Sequence, residues 1–139
     1  MATFKNLYEI RAWDKARQLV KRIYQITDQG QFVRDRGLQN QIRRASVSVV
    51  SNIAEGFERY GDSEFAHFLS LAKGSLGEVQ TQLLIATDIG YIDFHNFSKI
   101  KSEINHLGNM IGALMVYLRQ SKIRGIKDRV TMNLSKPIP

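Results

Sequence analysis

Residues 63–89 read SEFAHFLSLAKGSLGEVQTQLLIATDI, and the order of apolar positions in this stretch decides the fold class. Phe65, Leu69, Ala72, Leu76, Val79, Leu83 and Ala86 recur at steps of four and three without a miss. A helix turns about once per 3.6 residues, so side chains at this spacing share one face, whereas a strand alternates at every second residue. The spacing predicts a helix over 63–89 with one buried stripe.

Three further stripes flank it. Upstream, residues 37–60 carry Leu38, Ile42, Ala45, Val49, Asn52 and Gly56, and residues 9–28 carry Trp13, Ala16, Val20, Ile23 and Thr27. Downstream, residues 94–122 carry Ile100, Ile104, Leu107, Ile111, Leu114 and Leu118. The breaks agree with the stripes. Gly30 and Gly37 bracket the first loop. Tyr60-Gly61-Asp62-Ser63 reads as a helix end, a glycine after it and an Asp or Ser N-cap, and Gly90 followed by Asp93 repeats that grammar. Short second and third turns set neighbouring helices antiparallel. The expectation is an all-α, antiparallel up-down four-helix bundle over residues 1–120. Beyond it, residues 121–139 hold Lys122, Arg124, Lys127, Arg129 and Lys136 against a single acid, Asp128, with both prolines, Pro137 and Pro139. This composition reads as a basic, partly disordered tail.

Composition narrows the function classes. With 139 residues the chain fits one domain, and with no cysteine it offers no disulfide scaffold, Cys-ligated zinc, iron–sulfur cluster or thiol nucleophile. The opening residues lack the basic region and apolar run of a signal peptide. The longest apolar stretch, from Met110 to Leu118, is too short to span a bilayer, which takes ~20 residues. A cytoplasmic protein without a membrane partner is expected.

The second helix carries more apolar surface than one core needs. Val47, Val50, Ala54 and Phe57 form a line beside its core stripe, separated by the small residues Ser46, Ser48, Ser51 and Gly56. A helix apolar on two sides must be buried on two sides, which points to a second copy of the chain. The alternative is one wide core face around a bulky residue such as Trp13. Gln41, Arg44, Ser48, Asn52 and Glu55 run alongside, and buried polar groups of this kind need partners and can specify an assembly. The candidate interface and structural network is Arg43, Arg44, Val47, Val50, Asn52, Ala54, Glu55 and Phe57. In the opposing reading Arg44 and Glu55 stand in solvent and Asn52 bonds a backbone carbonyl.

Catalytic signatures are thin. His67, His95 and His106 are scattered, and His95 and His106 lie ~16 Å apart along one helix, too far to share a metal. Glu55 and Glu58 have no histidine beside them, so a di-iron bundle site is not supported. Gly74-Ser75-Leu76-Gly77 lacks the lysine of a phosphate loop and sits mid-helix; its glycines are expected to admit a neighbouring helix closely. Gly108 and Gly112 are expected to do the same. Neither an enzyme, a metal nor a cofactor is expected.

Charge is the remaining signal. The net charge is +7, spread as +3 over residues 1–30, +1 over 31–62, −2 over 63–118 and +5 over 119–139. Such clusters can be ordinary solvated faces, but repeated around an oligomer they make a polycation that suits a nucleic-acid backbone. No base-reading motif is present. The candidate contacts are Arg11, Lys15, Arg34, Arg36, Arg119, Lys122, Arg124, Lys127 and Arg129.

The sequence also resembles a known family. Gly37-Leu38, Gln41-Ile42-Arg43-Arg44-Ala45 and Ser48, then Asn52-Ile53-Ala54-Glu55-Gly56 with Arg59, then Phe65, Phe68-Leu69, Ala72, Gly74-Ser75 and Glu78, then Gly90-Tyr91-Ile92 carry the likeness. They resemble the bacterial four-helix-bundle family of the 23S rRNA intervening-sequence protein, which includes the accessory variability protein of diversity-generating retroelements. The likeness covers about residues 5–120. It implies a barrel-like homopentamer with a basic surface, nucleic-acid association and no enzymatic activity. It implies as partners the chain itself, nucleic acid and, in the retroelement members, a reverse transcriptase. The competing expectation is a protein-interaction scaffold that docks a reverse transcriptase or ribosomal component, with nucleic-acid binding incidental.

Overall fold

The computed structural model describes residues 4–59 and 61–135, with residue 8 and residues 121–135 described by backbone alone. The fold is all-α, a four-helix bundle with no strand among the described residues. Helices α1 (Arg11–Thr27), α2 (Arg36–Glu58), α3 (Asp62–Asp88) and α4 (Phe94–Ser135) are joined to two short 3-10 turns, Leu7–Glu9 before α1 and Gly30–Val33 between α1 and α2. α2 packs most extensively on α3, α3 on α4 and α1 on α2, and α1 also meets α4, so the four helices enclose one core.

All seven residues of the α3 stripe are buried, as the spacing requires. The other stripes shift. On α1 the buried set is Ala12, Ala16, Leu19, Ile23 and Thr27, with Trp13 half-buried at the rim under the Arg17 guanidinium, 4.7 Å from its ring centre. On α2 Ile53 enters the core in place of Asn52, because an amide keeps a partner more readily at the rim than in an apolar centre. Ser46 is fully buried there, its hydroxyl donating to the Arg43 carbonyl at 2.9 Å. On α4 Phe97 joins the buried line and Leu114 is only half-buried. Each fully buried Ile or Leu, such as Ile23, Ile42, Leu83 or Ile111, contributes about 1.5–3 kcal/mol relative to exposure.

Helix ends follow local chemistry. α2 is capped by Asp35, whose Oδ1 accepts from the Leu38 amide at 3.1 Å, so Gly37 lies inside the first turn. The expected Asp or Ser cap of α3 is replaced by Gly61 with φ +103°, and Asp62 opens the helix. α3 ends as expected: Gly90, at φ +84°, donates to the Thr87 carbonyl, and the Tyr91 amide donates to Ala86 at 2.8 Å. That pair of bonds closes a helix through a left-handed residue that glycine adopts without strain. Asp93 then caps α4 through the Asn96 amide, 2.8 Å.

α4 outlasts its apolar stripe. The stripe ends at Leu118, yet the backbone stays helical to Ser135, where a break near Lys122 was expected. No proline interrupts the chain before Pro137, so nothing stops the ladder when the core contacts end. The side chains of the tail, residues 121–139, and the backbone of residues 136–139 lie outside the described residues.

Two glycine expectations are corrected. Around Gly74 and Gly77 an added Cβ would meet nothing within 4 Å, so neither admits a neighbouring helix of this chain. At Gly108 and Gly112 an added Cβ would stand at ordinary contact distance from Leu76 Cδ2 and Lys73 Nζ, 3.6 and 3.8 Å. The close approach occurs at Gly56, where a Cβ would stand 2.8 Å from Phe68 Cβ and 2.9 Å from Phe65 Cδ1.

Candidate nucleic-acid interface

The basic residues fall into separate groups. Arg11 and Lys15 are exposed on the first turns of α1, whereas Arg34 and Arg36 are exposed beyond its far end, ~25 Å away at ~1.5 Å per helical residue. Arg119 is exposed on α4 and shares a depression of about 380 Å³ with Asp62 and His67. The side chains of Lys122, Arg124, Lys127 and Arg129 lie outside the described residues. The structure therefore does not gather the candidate cations into one patch on a single chain.

The candidate network on α2 also divides. Asn52 donates to the Ser48 carbonyl at 2.8 Å and to Ser48 Oγ at 3.1 Å, and Ser48 and Ser75 share a 2.9 Å hydrogen bond across the α2/α3 seam. Glu55 turns outward to Arg59, Oε1 to Nη2 2.8 Å, with both side chains about half exposed. Arg44 is exposed. The three do not converge, so the opposing reading describes their placement: two solvated charges and an amide on a backbone carbonyl. Val47 is 40% exposed, while Val50, Ala54 and Phe57 are half-buried. Phe57 meets Phe65 edge to face at 6.3 Å.

Arg43 belongs to a different device. Its Nε donates to Thr27 Oγ1 at 2.9 Å, and its guanidinium lies over the Tyr24 ring at 4.4 Å. Thr27 is fully buried, and its hydroxyl donates a hydrogen bond to the Ile23 carbonyl at 2.7 Å. Gln39 adds a 2.8 Å bond to the Thr27 carbonyl. These bonds clasp the C-terminal end of α1 to α2. A second tie links the α3–α4 turn to the start of α2: Tyr91 Oη donates to Asp35 Oδ2 at 3.0 Å and its ring stands edge-on to Phe32. This bond, burial and the nearby negative charge raise the Tyr91 phenol above its ordinary value of 10.0.

Among the described residues no group of three His, Cys, Asp or Glu is placed to hold a metal ion. Among them, too, no helix is long and apolar enough to cross a membrane.

Residues 8–113 match the family model described as 23S rRNA-intervening sequence protein. The chain belongs to that family. Among solved structures, the chain is similar to a protein of unknown function from the S23 ribosomal protein family of Bacteroides thetaiotaomicron VPI-5482, with a TM-score of 0.66 and 19% identity. The match covers 75% of this chain and 97% of that one, and it shows a shared fold. No functionally curated protein matches the chain. The family match spans the bundle through α4 as far as residue 113 and stops before the basic C-terminal end.

Sequence reasoning missed Thr27 as a hydrogen-bonding hub and Asp35 as both cap and Tyr91 partner. A threonine on a core stripe, followed by Gln39 and Arg43 on the next helix, is a readable signal for the first. The second needs contact between residues 56 apart, which no local spacing reveals.

Proposed function

We propose that the chain is a non-enzymatic homo-oligomer, a barrel-like homopentamer of antiparallel up-down bundles, that associates with RNA or DNA as an accessory factor. The carrying observation is the uneven charge: +7 overall, with +5 in residues 119–139 and +3 in residues 1–30. Copies arranged in a ring multiply that excess at defined places, which favours backbone contact with a polyanion over base readout. The antiparallel arrangement is supported by register: Gly56 lies against Phe65 and Phe68 while the earlier Ser48 meets the later Ser75. Gly108 beside Leu76 and Gly112 beside Lys73 give the same sense for α3 and α4. Assembly is supported by the apolar α2 line that the bundle leaves part-covered, Val47, Val50, Ala54 and Phe57. Family membership agrees with a role near RNA.

A second reading has its own observation. Leu84, Ile85, Ile89 and Phe94 are 45–74% exposed around the α3–α4 turn, a surface suited to a protein partner. Such a partner, a reverse transcriptase or ribosomal component, would be docked by a scaffold. Pull-down with and without nuclease separates the readings: a partner retained after nuclease favours the scaffold. The main reading is tested by titrating RNA with the full chain and with a chain ending at Gln120. The shorter chain is expected to bind more weakly, with a log–log salt slope shallower by ~0.7 for each single-strand phosphate it no longer neutralises. An unchanged slope removes the C-terminal segment from the binding surface.

A further inference from the structure

α1 and α4 leave a continuous trough along their seam. One half, about 300 Å³, is lined by Lys15, Lys21, Arg22, Glu103 and His106. The other, about 500 Å³, continues past Gln25 to Gln29 and Asn96. Arg22 and Gln25 border both halves, which makes Arg22 the midpoint. The two halves differ in character: the first is cationic, and the second carries the side-chain amides of Gln25, Gln29 and Asn96 with one carboxylate, Asp93, which accepts from the backbone and side-chain amides of Asn96.

The charges are poised rather than neutralised. Lys15 and Lys21 make no ion pair among the described residues. Arg22 Nη1 lies 3.3 Å from Glu103 Oε1, with the two side chains 42% and 46% exposed. An ion pair that wet is weak, so an arriving anion can displace the carboxylate. Glu103 is the sole carboxylate of the cationic half. From Lys15 to Gln25 the track is ~15 Å long, room for about four stacked nucleotides at about 3.4 Å each. Helices whose axes stand about 8–10 Å apart leave a narrow surface furrow between them, which fits a single strand and is too narrow to seat a duplex.

We propose that this trough is a single-stranded nucleic-acid track. The strand runs along the cationic half with its phosphates against Lys15, Lys21 and Arg22, it continues past Arg22 into the half lined by Gln25, Gln29 and Asn96, and Glu103 is a built-in competitor that holds Arg22 until a phosphate replaces it. The assignment rests on the nucleic-acid reading above and adds Arg22, Lys21 and Glu103, which that reading did not include.

The test uses the full chain and a short fluorescent oligouridylate, with affinity followed across salt concentration. Glu103→Gln is expected to tighten binding about 2- to 5-fold, the range an exposed ion pair can withhold. Arg22→Ala is expected to weaken it about 3- to 10-fold and to flatten the salt slope by ~0.7. Lys101→Ala, on α4 outside the trough, controls for removal of any surface cation, and circular dichroism confirms that each variant is folded. Wild-type binding with Glu103→Gln and Arg22→Ala no different from Lys101→Ala overturns the track and leaves the nucleic-acid reading standing. No binding by the wild type overturns both. Equal competition by duplex RNA, or by polyglutamate, overturns the single-strand assignment in favour of a rim-bound duplex or an acidic protein.

Discussion

At Gly56 α2 approaches α3 too closely to leave room for a side chain, and it shows how one missing side chain bears on the spacing of two helices. Helix propensity alone favours alanine there by about 1 kcal/mol, but the added Cβ would press on Phe65 and Phe68, an overpacking cost of about 1–3 kcal/mol. Gly56→Ala is therefore expected to destabilise the fold by about 1 kcal/mol. Gly77→Ala, with nothing within 4 Å, should instead stabilise it by about 0.8–1 kcal/mol. Urea midpoints should move in opposite directions, and a shared direction would refute this account of the spacing. Tyr91 carries a second prediction. Its phenol is raised above 10.0 by the hydrogen bond to Asp35, so its stabilising effect is complete below that pH and fades as pH climbs through the raised value. Tyr91→Phe should melt a few degrees lower at neutral pH and show a smaller further drop in alkaline solution. Equal alkaline drops in both proteins would remove Tyr91 from that effect.

At the level of elements, the four helices differ in how their ends are held. α3 closes on the Gly90 turn, and α4 opens three residues later on Asp93, whose carboxylate takes the Asn96 amide and side chain at 2.8 and 3.0 Å. Asp93→Ala is expected to cost about 1 kcal/mol in chemical denaturation, and Asp93→Asn much less, because asparagine caps nearly as well. The stripe of α3 was legible residue for residue because that helix is buried along one regular face. Those of α1 and α2 were offset by one residue in places: Ala12 and Leu19 are buried where Trp13 and Val20 were expected, and Ile53 where Asn52 was, with Asn52 bonded to Ser48 of its own helix. A polar residue on an apolar stripe can be a core member, as Thr27 is, or a rim member, as Asn52 is, and the packing around it decides which.

For the whole molecule, the outer side of α2 is the apolar face that the bundle leaves part-covered. If copies meet there, a charge placed on the line should separate them while leaving each bundle folded. Val50→Glu or Ala54→Arg is expected to lower the mass seen by light scattering with helicity retained. A wild-type chain that is monomeric at micromolar concentration would sink the assembly. Both positions are half-buried, so thermal melts are needed alongside to separate dissociation from unfolding.

The fold class, the four helices and the family were set by the sequence itself, because apolar periodicity, glycine-marked turns and the Asn52–Gly56 motif are all local patterns. The buried stripe of α3 was equally plain. The candidate site was legible only as a charge inventory. The predicted helix over 9–28 already separates Arg11 and Lys15 from Arg34 and Arg36, and the structure keeps them at opposite ends of α1. The trough of Lys15, Arg22 and Glu103 exists only once α1 and α4 lie side by side, and the Tyr91–Asp35 tie only once the third turn meets the start of α2. Such sites depend on distances between residues far apart in the chain, and those distances are fixed by how the helices pack rather than by any spacing along one of them.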